Sequence, residues 1–346
     1  MSRRTLAAVL AVFAGLGATF DGSAAAQAPQ GAPAGVVAGV GNFSHIVADM
    51  DRALAFYRDV IGLPVAQPPN EFSGNPAIMN LGNTPGAQSR FGTLRVPGSQ
   101  LGVELIAYKD TERTPARPRF QDPGAANLIL TVRDIDSIVA RVKRSAGRIQ
   151  TLPGTPATIP GGTRVIFVQD PDGFFIELAQ PSSAPATTAS AADNVIGGGF
   201  EIMVDDTDRT MTLWRDVLGF SVQVGTTFDG TTLLMDTAGT PGAEFKRSVA
   251  NIPGTPVTIA FLEFRKIDRR KLDTRTQDPG TPILQLQVRD VDALTRSWKA
   301  AGGAVVSTNG EPVLLGNNKL ILLRDPNGVM LELLPAPGAR VTLVDR

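Results

Sequence analysis

The chain has 346 residues, 42% of them hydrophobic, and its 33 Lys plus Arg balance 33 Asp plus Glu. That length exceeds what one hydrophobic core supports, so two domains are expected, and the composition excludes a disordered or fibrous chain. The charge balance, without a long run of either sign, points away from nucleic acid as partner, and the absence of Cys excludes disulfides, thiolate nucleophiles and cysteine-based metal sites.

Residues 1–28 read as a cleaved export signal: Ser2-Arg3-Arg4 precedes the apolar run LAAVLAVFAGLGATF, and Ala26 and Ala28 suit a signal peptidase. The apolar run is shorter than the ~20 residues a bilayer requires, so no stable membrane anchor is expected. The mature protein is expected to be periplasmic or secreted, by the general or the twin-arginine route. Residues 29–40, into which the Gly-rich GVVAGVG (35–41) falls but for its last residue, read as a flexible leader.

From Asn42 the chain repeats itself. FSHIVADMDRALAFYRDVIGLPV lies over FEIMVDDTDRTMTLWRDVLGFSV, with Tyr57 falling on Trp214. QDPGAANLILTVRDID lies over QDPGTPILQLQVRDVD, and QDPDGFFIEL over RDPNGVMLEL. Each half divides again. In the first unit Asp51 can cap a helix with Leu54, Tyr57, Val60 and Ile61 on one face and Gly62 at its end. In the second, Asp134 or Asp136 caps, Ile138, Val142 and Ala146 form the face, and Gly147 stops the helix. Asp208 to Gly219 and Asp290 to Gly302 supply two more helices. Each helix is followed by β-rich runs broken at turns such as Pro97-Gly98 and Asp170-Pro171-Asp172-Gly173. The expected fold class is α+β, built from four βαβββ modules. Domain 1 is expected over 41–181, an exposed linker over 182–194, domain 2 over 195–336 and a tail over 337–346. The charged stretches KDTERTPARPRFQDPG and RKIDRRKLDTRTQDPG are expected to connect paired units. Whether successive modules pair, or exchange partners across the chain, stays open.

HIVADMDRALAFYRDVIGL, the TVRDID and QVRDVD segments and the two D-P-[DN]-G-x-x-[IL]-E-L endings together resemble the vicinal oxygen chelate (VOC) superfamily, which includes glyoxalase I, extradiol dioxygenases and the fosfomycin and bleomycin resistance proteins. The resemblance runs from about Gly41 to Pro335. It implies glyoxalase-like domains in which two modules form a cup-shaped half-barrel sheet, with a divalent metal held by the first and last strands of each module and completed by substrate oxygens.

Carried over onto this sequence, the resemblance makes His45, Glu104 and Glu177 the metal ligands, with Asn127 where the family most often has His. Imidazole and two carboxylates suit Zn, Ni, Fe, Co or Mn. Strand alternation would place His45 on one face with Phe43 and Val47, and that face is taken as the cup. Glu104 and Glu177 are the candidate catalytic carboxylates; Asn127, Phe43 and Phe175 are candidate substrate contacts. The alternative reading of His45 is a buried, hydrogen-bonded histidine with no metal. In the second half the corresponding positions are Ile202, Ala260, Ile283 and Glu332, too few to hold metal in the family's manner, while Gln285 and Gln287 share a face with Ile283.

No G-x-S-x-G elbow or phosphate-binding loop is present, so no nucleotide cofactor is expected. Two functions remain. One is a metal-dependent VOC-type lyase, isomerase or oxygenase acting on a small substrate with adjacent oxygens. The other is a metal-free small-molecule binder of the bleomycin-resistance type. A dimer is compatible with either.

Overall fold

The computed structural model describes residues 36–337; the expected signal peptide, residues 29–35 of the leader and residues 338–346 lie outside the described residues. Four modules follow one another. The first comprises β1 (Val37–Val47), α1 (Met50–Ala55), β2 (Val65–Gln67), α2 (Pro76–Gly82), β3 (Gln88–Arg95) and β4 (Gly102–Lys109). The second comprises β5 (Ala126–Val132), α3 (Ile135–Val142), β6 (Arg148–Ile149), β7 (Ala157–Thr158), β8 (Arg164–Gln169) and β9 (Phe175–Gln180). The third has β10 (Val195–Val204), α4 (Thr207–Trp214), α5 (Thr232–Ala238), β11 (Glu244–Asn251) and β12 (Thr258–Arg265). The fourth has β13 (Pro282–Val288), α6 (Val291–Ala300), β14 (Ala304–Val305), β15 (Val313–Leu315), β16 (Asn318–Arg324) and β17 (Met330–Pro335).

One local signal starts the first helix of every module. An Asp-x-Asp triplet follows the opening strand, and its first Asp is the cap: Asp49, Asp134, Asp206 and Asp290 each accept a backbone N–H from the first helical turn. The second Asp (Asp51, Asp136, Asp208, Asp292) lies in that turn, where the helix dipole favours negative charge. Asp51, expected as a cap, is therefore a first-turn residue, as is Asp208. α1 continues as a wider helical turn, Phe56–Ile61, and stops at Gly62, whose φ of 98° disfavours any residue with a Cβ. α3 ends before Lys143, short of the expected stop at Gly147.

The modules exchange partners. The first sheet runs β14-β16-β17-β13-β1-β4-β3-β2 and the second β11-β12-β10-β5-β9-β8-β6, with β15 and β7 attached to β16 and β8. Modules one and four build the first sheet, and modules two and three the second. In each, two opening strands pair antiparallel at the centre: Ser44 faces Ile283, and Glu201 faces Asn127. The expected domains 41–181 and 195–336 each give one module to each sheet. The charged stretches do not join paired units; they cross between the sheets side by side, tied by Ala116 N donating to Pro279 O (2.8 Å), Leu272 N to Pro123 O (2.9 Å) and Thr114 N to Asp278 Oδ1 (2.7 Å). The linker is likewise fastened, since Asn194 Oδ1 accepts from Arg133 N and Asp134 N.

A single hydrophobic core unites the faces of both sheets that carry α1, α3, α4 and α6, drawing on Phe43, Val47 and Tyr57 from module one, Phe174 from module two and Phe200 and Trp214 from module three. The Phe43 ring lies 5.0 Å from that of Phe174 and 5.7 Å from that of Phe200, joining three modules. Burying each such ring contributes about 1.5–3 kcal/mol. The other face of each sheet is a cup. The leader expectation fails at Val37, where β1 begins: Gly39 and Gly41 leave room on this central strand for the side chains of Gln287 and Gln285.

Candidate functional site

In the first cup, Ser44 Oγ donates to Glu104 Oε2 (2.7 Å), and Gln285 Nε2 donates both to that same oxygen (3.0 Å) and to Glu332 Oε2 (3.1 Å). Asn42 N donates to Gln285 Oε1 (2.9 Å), which fixes the amide so that its NH2 bridges the two carboxylates. Burial raises both glutamates, with Ser44 and Gln285 opposing the shift at Glu104. Burial and the charge of Glu104 push Glu332 up to about 7. Ser44 is buried, but Glu104, Gln285 and Glu332 remain partly accessible. At one end of the cup α2 lays Met79 against Ile46, Tyr108, Ile283 and Met330. Asn42, Thr93 and Gly102, on the cup side by alternation with Ser44 and Glu104, also line a cavity of about 610 Å³ with Arg95 and linker residues Thr188 to Ser190; Ser44, Glu104, Gln285 and Glu332 are not among its lining residues.

The second cup repeats the device in closed form. Asn127 Nδ2 donates to Glu177 Oε2 (3.4 Å) and Glu201 Oε2 (3.3 Å), and Arg247 Nε to Glu201 Oε1 (3.3 Å). Asn127, Glu177 and Glu201 are fully buried. Burial, then the Glu201 charge, holds the Glu177 carboxyl well above its usual range. Asn127 Oδ1 and Glu177 Oε1 have no hydrogen-bond partner. Apolar residues, including Phe175 and Met235 of α5, fill the rest.

The expected ligands therefore sit in three places. Glu104 is in the first cup and Glu177 in the second. His45 is in neither: it lies on the helix side of β1, where Nε2 meets Asp170 Oδ2 at 2.7 Å and the ring faces Phe174. Ser44 is in register with Glu104 on β4, and alternation sends the next residue to the opposite face. Phe43 goes with His45 into the core, so it contacts no cup; Asn127 and Phe175 do belong to a cup, the second. Ser44, Gln285 and Glu332 complete the first cup, and Glu201 and Arg247 the second. The sequence carried a signal for the correct face: FSHIV lies over FEIMV, where the one charged residue falls on Ser44, not His45.

The chain belongs to the Glyoxalase/Bleomycin resistance protein/Dioxygenase superfamily, whose model matches residues 39–178 and again 198–333. It is 30% identical over 138 residues to a probable lactoylglutathione lyase of Synechocystis, covering 40% of this chain and 91% of that protein. It is 28% identical over 152 residues to a 2-epi-5-epi-valiolone epimerase of an Actinomyces species, covering 42% of this chain and 81% of that one. The solved glyoxalase I of Zea mays shares the fold with a TM-score of 0.54 at 16% identity, over 85% of this chain and 91% of its own.

The divalent metal that the family implies does not suit either cup. Neither offers an imidazole, and each places a side-chain NH2 between its two carboxylates, where a cation would have to sit. In the second cup Arg247 already supplies positive charge.

Proposed function

We propose that the protein is an enzyme of the proton-transferring kind, an epimerase, isomerase or lyase for a small oxygen-rich substrate, working in the first cup. The observation that carries this reading is the pair Glu104 and Glu332, contributed by modules one and four and bridged by the fixed amide of Gln285. Burial raises both members, Glu332 to about 7, while Ser44 and Gln285 both donate to Glu104 and oppose the rise there, so the pair is unequal. Glu104 then takes a proton from carbon beside a carbonyl, and Glu332 gives its proton to the substrate, so that the two exchange states with no net change. An epimerase and a lyase among the relatives fit this chemistry.

Incubation in D2O with 2-epi-5-epi-valiolone, S-lactoylglutathione and simple 2-hydroxyketones, followed by NMR, tests the reading. Deuterium entering one of these at carbon, and failing to do so with Glu104→Gln, is the expected result. Saturable binding without exchange would replace it with the second reading, metal-free capture of a small molecule, for which the cavity between the β3–β4 turn and the linker offers space. Export of the mature chain is part of the proposal and rests on residues 1–28; N-terminal sequencing of the protein recovered from outside the cytoplasm tests it.

A further inference from the structure

The turn between β8 and β9 and the turn between β16 and β17 are copies, and they differ where it matters. In both, an Asp organises the turn: Asp170 Oδ1 accepts from Asp172 N and Phe174 N, and Asp325 Oδ1 from Asn327 N, Gly328 N and Val329 N. In the later copy the second oxygen is satisfied by neutral donors, Trp214 Nε1 (3.2 Å) and Asn327 Nδ2 (2.9 Å), and the Asn327 oxygen accepts from Asp205 N. In the earlier copy Tyr57 and His45 approach Asp170 Oδ2, and Asp172 stands where the copy has Asn327. This exchange leaves two buried atoms without partners, His45 Nδ1 and Asp172 Oδ2.

We propose that His45, Asp170 and Asp172 hold one divalent transition-metal ion, outside both cups. Each residue offers a donor atom within 4.8 Å of the others'. One imidazole nitrogen with carboxylate oxygens is a donor set for Zn, Mn, Fe, Co or Ni. The ring serves it through Nε2: that nitrogen and Asp170 Oδ2 lie 2.7 Å apart, and an ion between them takes the place of the proton they share. The charge suits it as well. Two carboxylates are desolvated together, and the cation provided is Arg52, whose side chain is 46% exposed and reaches only Asp172 Oδ1 (2.9 Å). The neutral copy shows that the turn itself needs neither His45 nor Asp172. The site lies between β1 and the β8–β9 turn, hence between the two sheets, and the ion would pin one sheet to the other.

The test uses the mature protein, stripped with chelator and titrated separately with Zn2+ and Mn2+ by calorimetry and thermal unfolding. One equivalent should bind and raise Tm. Asp172→Asn and His45→Ile, which install the residues of the later copy, should weaken binding by about 100-fold or more. Glu104→Gln and Glu332→Gln should leave it unchanged. The proposal is overturned by absence of saturable binding of either ion, by unchanged affinity in Asp172→Asn, or by loss of binding in Glu104→Gln. Should His45→Ile fail to fold, the near-isosteric Asp172→Asn decides alone.

Discussion

Ser44 and His45 are adjacent in the chain, yet their side chains lie on opposite sides of the first sheet: Ser44 Oγ donates to Glu104 on the cup side, while His45 Nε2 meets Asp170 of the other sheet. The Glu104–Glu332 pair and the single histidine of this protein thus lie on opposite faces of one sheet, and changes at each can be read separately.

Glu104→Gln should lower turnover by about 10²–10⁴-fold, the range for losing a positioned general base, with Tm unchanged or raised, because an unfavourably buried carboxylate is removed. Steady-state rates with the substrate identified by deuterium exchange, beside melting curves, check both halves of the statement.

Glu332 sets the pH response. Its folded value of about 7 lies above its ordinary 4.5, so the protonated form favours the fold. The stability from this group is complete below pH 4.5 and is lost as pH rises through 7. Melting temperatures from pH 4 to 9 should show the wild type falling relative to Glu332→Gln across that window, and turnover should decline on the same limb as the acid loses its proton. A pH-independent difference between the two proteins would remove Glu332 as the titrating group.

Asp170→Ala should destabilise by roughly 3 kcal/mol or more, since it leaves the buried N–H groups of Asp172 and Phe174 and the Tyr57 hydroxyl without an acceptor. Asp325→Ala, at the equivalent turn, should do the same. Urea unfolding of both variants measures this.

The partner exchange can be locked covalently in a chain that has no native Cys. A Cβ built on Gly39 lies 3.4 Å from the Gln287 Cβ, close to the 3.5–4.5 Å of disulfides. Gly39→Cys with Gln287→Cys should therefore oxidise to a monomer of altered gel mobility, and single variants should not.

The repeat, the helix starts and the polar character of the cups were legible in the sequence because each rests on local spacing: Asp-x-Asp before a helix, Pro-Gly and Asp-Pro-x-Gly at turns, a Glu on each closing strand of modules one, two and four. Two things were not. Since β5 and β13 derive from one repeat, β1 could pair with either, and nothing local separates the two topologies; that choice puts Glu104 beside Glu332 and moves Glu177 away. The face of β1 was misassigned by one residue because alternation fixes only that Ser44 and His45 oppose each other, and the histidine drew the assignment to itself.

The nested pairing also orders events in time. Modules two and three are neighbours in the chain and can complete the second sheet early, whereas β1, finished at Val47, waits for β13, which starts at Pro282. Contacts of such sequence separation form slowly, and through that interval an apolar central strand shows an open backbone edge. Topology alone thus favours assembly from the inside outwards, with the first strand exposed until the last module is made.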